Sequence, residues 1–122
     1  MNYSKETISR YRESYRRQQS DDAIETETRR QNALTFGKKM ANMLGLQHGA
    51  RQVVLIGSAL DPERFNKSSD IDLVVYQMPK ENYFNAVAAC MNADFDVDLI
   101  PFESAHELVL KAVSKGVVVY EI

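Results

Sequence analysis

Two short acidic segments do most to limit what this chain can become. Ser69-Asp70-Ile71-Asp72-Leu73 and Phe95-Asp96-Val97-Asp98-Leu99-Ile100 each alternate carboxylates with apolar side chains. Side chains alternate across a strand, so Asp70 and Asp72 share one face while Ile71, Leu73 and Val75 take the other. Asp96 and Asp98 share a face in the same way. Two such strands side by side gather three or four carboxylates into one patch. Like charges ~4 Å apart repel by about 1 to 4 kcal/mol per pair at surface-like dielectric. A fold tolerates that when a proton or a cation sits between them. Magnesium is the cation that all-oxygen ligands suit. Gly57-Ser58, just ahead of the first acidic segment, adds a corner where backbone can approach a phosphate closely. Metal and phosphate together point to phosphoryl or nucleotidyl transfer.

The rest of the chain frames that site. Its 122 residues suit one compact unit with an appendage. Residues 1–48 are charged and Gln-rich, and they read as a helical N-terminal extension. Residues 49–122 read as the catalytic domain. Within the extension, residues 4–46 form one long helix or two consecutive ones, the second capped by Ser20 or Asp21. Acid-to-base pairs at i, i+4 support it: Glu6–Arg10, Glu13–Arg17 and Glu25–Arg29. The stripe Ala33, Phe36, Met40, Met43 and Leu44 has helical spacing and should pack on the domain. Gly37 inside it costs roughly 1 kcal/mol relative to Ala. Ile8, Tyr11 and Tyr15 form a shorter stripe that buries little and needs a partner protein, a second copy or disorder.

From Arg51 strands and helices alternate. Gln52 to Ile56 is a buried strand, Asp70 to Tyr76 a second and Phe95 to Ile100 a third, stopped by Pro101. Val117 to Tyr120 is a short last strand. Lys80 to Met91 and Glu103 to Ser114 are helices, with Gly116 as a C-cap. The expected fold is therefore α/β: a small mixed β-sheet flanked by helices, with a long helical N-terminal extension.

Charge and composition exclude several classes. Fifteen basic against seventeen acidic residues give a net charge of −2, without the basic footprint of a dedicated nucleic-acid binder. The single Cys90 excludes an internal disulfide and fits a reducing cytoplasm. No apolar run approaches the ~18 residues of a membrane span, and the first residues lack the apolar core of a signal peptide. His48 and His106 have no metal-ligand spacing.

Gly57-Ser58, Asp70-Ile71-Asp72 and a later Asp in an apolar strand together resemble the polymerase-beta-type nucleotidyltransferase superfamily, and within it the minimal nucleotidyltransferase branch. The likeness runs from about Val53 to Glu121, including the ending Lys115-Gly116-Val117-Val118-Val119-Tyr120-Glu121. The turn Ala59 to Ser69 departs from the branch in being slightly long and free of Gly. The resemblance implies a nucleotidyltransferase fold and two Mg²⁺ ions held by Asp70 and Asp72. A third carboxylate, Asp98 or its neighbour Asp96, completes one ion's site; the flanking Val97 and Leu99 favour Asp98. Gly57 and Ser58 would hold the β- and γ-phosphates, Arg64 and Lys67 would neutralise the triphosphate, and Ser69 would cap the loop. The resemblance further implies transfer of AMP from ATP to a hydroxyl of a partner protein. The chain would be the cytoplasmic antitoxin of a HEPN-type toxin, with a homo-oligomer through the N-terminal helix as a further partner state. Two alternatives stand beside it: a binding-only antitoxin with a vestigial nucleotide site, and a nucleotidyltransferase for a small molecule.

Overall fold

A computed structural model describes residues 3–122. The N-terminal segment is one uninterrupted helix, α1 (Lys5–His48). Ser4 caps its start, its Oγ accepting the Thr7 N–H at 3.2 Å. Gly49 closes it in the left-handed conformation, φ 81°, with its N–H on the Leu44 carbonyl, as helix C-termini favour. Of the two expected readings the single helix holds, and no cap interrupts it at Ser20 or Asp21. The three expected i, i+4 ion pairs do not form. Among the described residues the only ion pair is Arg30–Glu27, at 2.8 Å.

After α1 come β1 (Gln52–Ile56), β2 (Ile71–Tyr76), α2 (Lys80–Ala89), β3 (Val97–Pro101), α3 (Glu107–Val113) and β4 (Val117–Glu121). The sheet order is β3-β2-β1-β4. β1 pairs antiparallel with β2 and with β4, while β2 and β3 are parallel and joined by the α2 crossover. The mixed sheet agrees with the expectation.

Alternation along the strands makes two cores. Val53, Leu55, Ile71, Leu73, Val75 and Leu99 lie beneath Ala33, Met40, Ala41 and Leu44 of α1 and Ala86 of α2. Val54, Ile56 and Val74 face the other way, toward Val109, Ala112 and Val113 of α3. Gly37 is itself buried, and a Cβ there would come within 2.8 Å of Leu55 Cδ1. Its expected helix penalty is offset by close approach of α1 to the sheet, which a larger residue would prevent.

Several boundaries move from the sequence reading. The third strand begins at Val97, not Phe95, because Asn92 caps the preceding turn. Its Oδ1 accepts the N–H groups of Asp94 (2.9 Å) and Phe95 (2.8 Å). That strand also includes Pro101, whose missing N–H costs nothing on an edge strand. α3 begins at Glu107 rather than Glu103. His106 Nδ1 caps it by accepting the Leu108 N–H at 3.3 Å, and residues 102–104 form a separate 3-10 turn. Among the described residues, no helix is long and apolar enough to cross a membrane.

Candidate active site

The carboxylates meet where β2 and β3 begin. In the parallel register Asp72 stands opposite Asp98, and Ile71 opposite Val97. One step earlier the Ile71 N–H donates to the Asp96 carbonyl at 2.8 Å, which brings the Asp70 level beside the Asp96 level. Asp72 and Asp98 lie on the α3 side of the sheet, but α3 packs on β1 and leaves the start of β2 and β3 uncovered. Asp70 sits one residue before β2 begins, not on the strand itself.

Electrostatics records the crowding. The Asp72 carboxyl is pushed up to about 6, first by burial, then by the charges of Asp98 and Asp70 and a hydrogen-bonding contact with Asp98. Asp70 is also raised, by burial and then by Asp98 and Asp96. Burial and like charge both disfavour the ionised form, so a cation arriving here would relieve a cost already present.

The corner after β1 is built against the same carboxylate. Gly57 has φ 89° and ψ −160°, a conformation open essentially to glycine alone. A Cβ on Gly57 would fall 2.5 Å from Asp72 Oδ2. The glycine thus permits both the turn and the approach of Asp72. Ser58 opens a one-turn 3-10 segment, Ser58–Leu60, whose carbonyl end is closed by the Asp61 N–H on the Ser58 carbonyl at 3.0 Å.

The remaining predicted residues divide. Ser69 Oγ accepts the Asn66 N–H at 3.0 Å and so braces the turn. Lys67 lines a cavity of about 140 Å³ together with Ser69, Asp70 and Arg29. Arg64 is exposed, does not line that cavity, and its side chain makes no hydrogen bond among the described residues. Cys90 is buried at the end of α2, and burial alone pushes its thiol up to about 11, leaving it unreactive.

Two basic residues of α1 near the site lie outside the set that the sequence predicts. Arg30 on α1 grips Glu27 with two hydrogen bonds of 2.8 Å and donates from Nη1 to the Ala59 carbonyl at 2.9 Å. It therefore ties α1 to the turn that carries Ser58. Arg29 donates from Nη2 to the Asp94 carbonyl at 2.8 Å and lies over the Phe95 ring, 4.6 Å from its centroid. It holds the loop leading to Asp98. Contacts across 29 and 65 residues leave no local signal in the sequence.

The family described as Polymerase beta, Nucleotidyltransferase matches residues 38–122, most of the chain and all of the site. The chain belongs to this family. As a polymerase-beta-type nucleotidyltransferase it shares its fold with several solved structures. A toxin-antitoxin MntA-HpeT mutant matches with a TM-score of 0.52 and 19% identity, over 70% of this chain and 73% of that one. A putative nucleotidyltransferase from Sulfolobus solfataricus gives 0.52 and 17%, over 82% and 87%. A toxin-antitoxin with AMP-PNP gives 0.50 and 20%, over 71% and 73%. No curated protein matches the chain.

The clustered carboxylates have the chemistry of a hard-cation site. Their donors are all oxygen, the set that hard divalent cations prefer. Among the described residues, no three or more His, Cys, Asp or Glu side chains are drawn together closely enough to hold an ion unaided. Magnesium is typically bound by one or two carboxylates with substrate phosphates supplying further oxygens. The residues fit a metal that enters with a nucleotide, not one caged by protein alone.

Proposed function

We propose that this chain transfers a nucleoside monophosphate, AMP from ATP, to a hydroxyl group of a partner protein. The observation that carries the reading is the register of Asp72 opposite Asp98, with Gly57 packed on Asp72. Acid pair and phosphate corner thereby share one point of the fold. Asp70 and Asp72 would bind two Mg²⁺ ions, and Asp98, the most open of the three, would complete the site on the acceptor side. Bound magnesium would supply charge neutralisation for an in-line displacement at the α-phosphate, with pyrophosphate leaving. The Gly57 backbone and Ser58 hydroxyl would hold the β- and γ-phosphates. Lys67 would add charge beside Asp70, and Arg64 would reach the triphosphate only if the solvent-facing turn folds inward. Arg30 would keep the Ser58 turn in place.

The acceptor reading rests on the neighbours. Two fold neighbours are toxin-antitoxin structures, one with AMP-PNP. They support an antitoxin that modifies its toxin, and we extend this to a HEPN-type toxin in the cytoplasm, where the lone Cys90 stays reduced.

The test is incubation with α-phosphate-labelled ATP, Mg²⁺ and an extract of the source cells, beside an Asp70→Asn/Asp72→Asn control. A labelled protein band that needs the intact aspartates is the expected result. Label on a small molecule would keep the transferase and discard the antitoxin. A folded protein that labels nothing with any of the four nucleotides would leave a site that only binds.

A further inference from the structure

α2 turns an uncharged face to water. Residues 82–93 contain no Asp, Glu, Lys or Arg, in a chain that is 26% charged. Ala86 and Cys90 are buried, so packing accounts for the inner side of this segment. The outer side has no such cause. Phe84 is 83% exposed, and Met91, just past the helix end, is 79% exposed. Val87 and Ala88 are exposed beside them. At ~100° per residue these four positions share one face. A solvent-facing helix side ordinarily carries charge. A contiguous patch of Phe, Val and Met without charge has the composition of an interface centre.

The face runs into the carboxylates. A cleft of about 350 Å³ at its C-terminal end is lined by Val87 and Met91 and also by Asp70, Asp96 and Asp98. β3 is an edge strand, so no further strand of the sheet covers this cleft. Its rim is acidic, since Asp94, Asp96 and Asp98 are all exposed. Arg29 and Lys67 line the separate cavity toward α1 and do not line this one. At the start of α2, Lys80 and Glu81 cancel. Two copies joined face to face would therefore have no net base to set against either acidic rim. A partner with basic residues around an apolar centre matches both parts of the surface.

We propose that this face of α2 docks the acceptor protein, through an apolar centre ringed by Arg or Lys on that protein. The inference rests on the proposed transfer to a partner's hydroxyl and says where that partner sits. Phe84 and Met91 supply the area removed from water. The acidic rim selects and orients a basic surface. The side chain that carries the hydroxyl then enters the cleft toward Asp98. These contacts are made equally before and during transfer. They set how much acceptor is needed and leave the chemical step alone.

Phe84→Lys/Met91→Lys tests it, because both side chains are exposed and the variant should melt like wild type. In the α-phosphate label assay it should need about 10-fold more extract for half-maximal labelling of the same protein band. Its affinity for AMP-PNP with Mg²⁺ should be unchanged. Phe84→Leu/Met91→Leu keeps the apolar face and should label like wild type. A second arm needs no transfer. A fluorescent amphipathic helix, leucines on one side and arginines flanking them, should bind wild type by anisotropy and not the lysine variant. The same helix with glutamates for arginines should bind neither. Equal labelling by wild type and the lysine variant overturns the docking face and leaves the transferase standing. Two helices that bind alike, or an arginine helix that binds the variant as well as wild type, also overturn it. So does a wild type that sediments as a dimer which the lysine pair dissolves, since the face then joins two copies. A wild type that labels no protein but still separates the two helices ends the proposed transfer and keeps the docking face.

Discussion

On one face of the sheet Leu55, Ile71, Leu73 and Val75 are sealed beneath α1 and α2; on the other, Asp72 and Asp98 look out past the end of α3. Leu73 and Asp72 are neighbours in sequence and opposites in consequence. The first gains free energy by leaving water. The second loses it, since its carboxyl is held near 6 by burial and by like charge. A strand can hold both because its side chains alternate. Stability is collected on one face and spent on the other, which is how a small fold can carry a crowded acidic site.

Substitutions at adjacent positions should therefore separate activity from stability. Asp72→Asn is expected to lower nucleotide transfer by about 10³-fold, the scale of removing one group that acts on transition-state charge. A label-transfer assay reads the rate. In the same variant a thermal melt at neutral pH should show no loss of stability, and a gain of about 1 kcal/mol after solvent screening of the half-buried group. A melt that collapses would make Asp72 a structural residue and erase the contrast. Leu73→Ala should do the reverse. It should cost about 2 to 5 kcal/mol in denaturant unfolding and leave the rate per folded molecule near wild type. Gly57→Ala touches both sides. The added Cβ meets Asp72 Oδ2 at a φ that L-residues rarely adopt, so a loss of about 1 to 3 kcal/mol should accompany reduced transfer. Retained activity with an unchanged melt would show that the corner tolerates a side chain.

The smallest effect is a slope. Burial and like charge push the Asp72 carboxyl in the fold up to about 6, from its ordinary 3.8. Between those values the folded chain binds more protons than the unfolded one, so stability falls as pH rises through the window and is level above it. The loss is about 1 kcal/mol once solvent is allowed for. Asp72→Asn should flatten the curve between pH 4 and 6, which melts across that range would measure. An identical slope in the variant would assign the proton elsewhere.

Much of this was legible before the structure. Alternation gave the strands and their two faces, because burial on a sheet imposes a period of two. The acidic segments stood out because like charges seldom cluster without a purpose. What escaped was tertiary. Arg30 carries no signal in the sequence, and only the folded chain brings it to the Ala59 carbonyl. Gly37 weakens the helix taken alone, but in the fold Leu55 lies against it and needs the missing Cβ. Phe95 fell outside β3 because an Asn side chain had already taken its N–H. The expected Glu25–Arg29 pair lost to a contact between Arg29 and the Asp94 carbonyl. Local patterns choose elements, while long-range polar contacts decide where they end.

The parallel pairing of β2 with β3 has a kinetic consequence. Asp72 and Asp98 are joined by a full crossover through α2, so no hairpin can bring them together early. Closing that loop is an entropic step that precedes any reward. The acidic pair therefore exists only in chains that have completed the crossover, and a nucleotide complex that binds the pair would select those chains. Refolding in its presence should draw the population toward the finished state by mass action. The site would then act as a checkpoint on its own assembly.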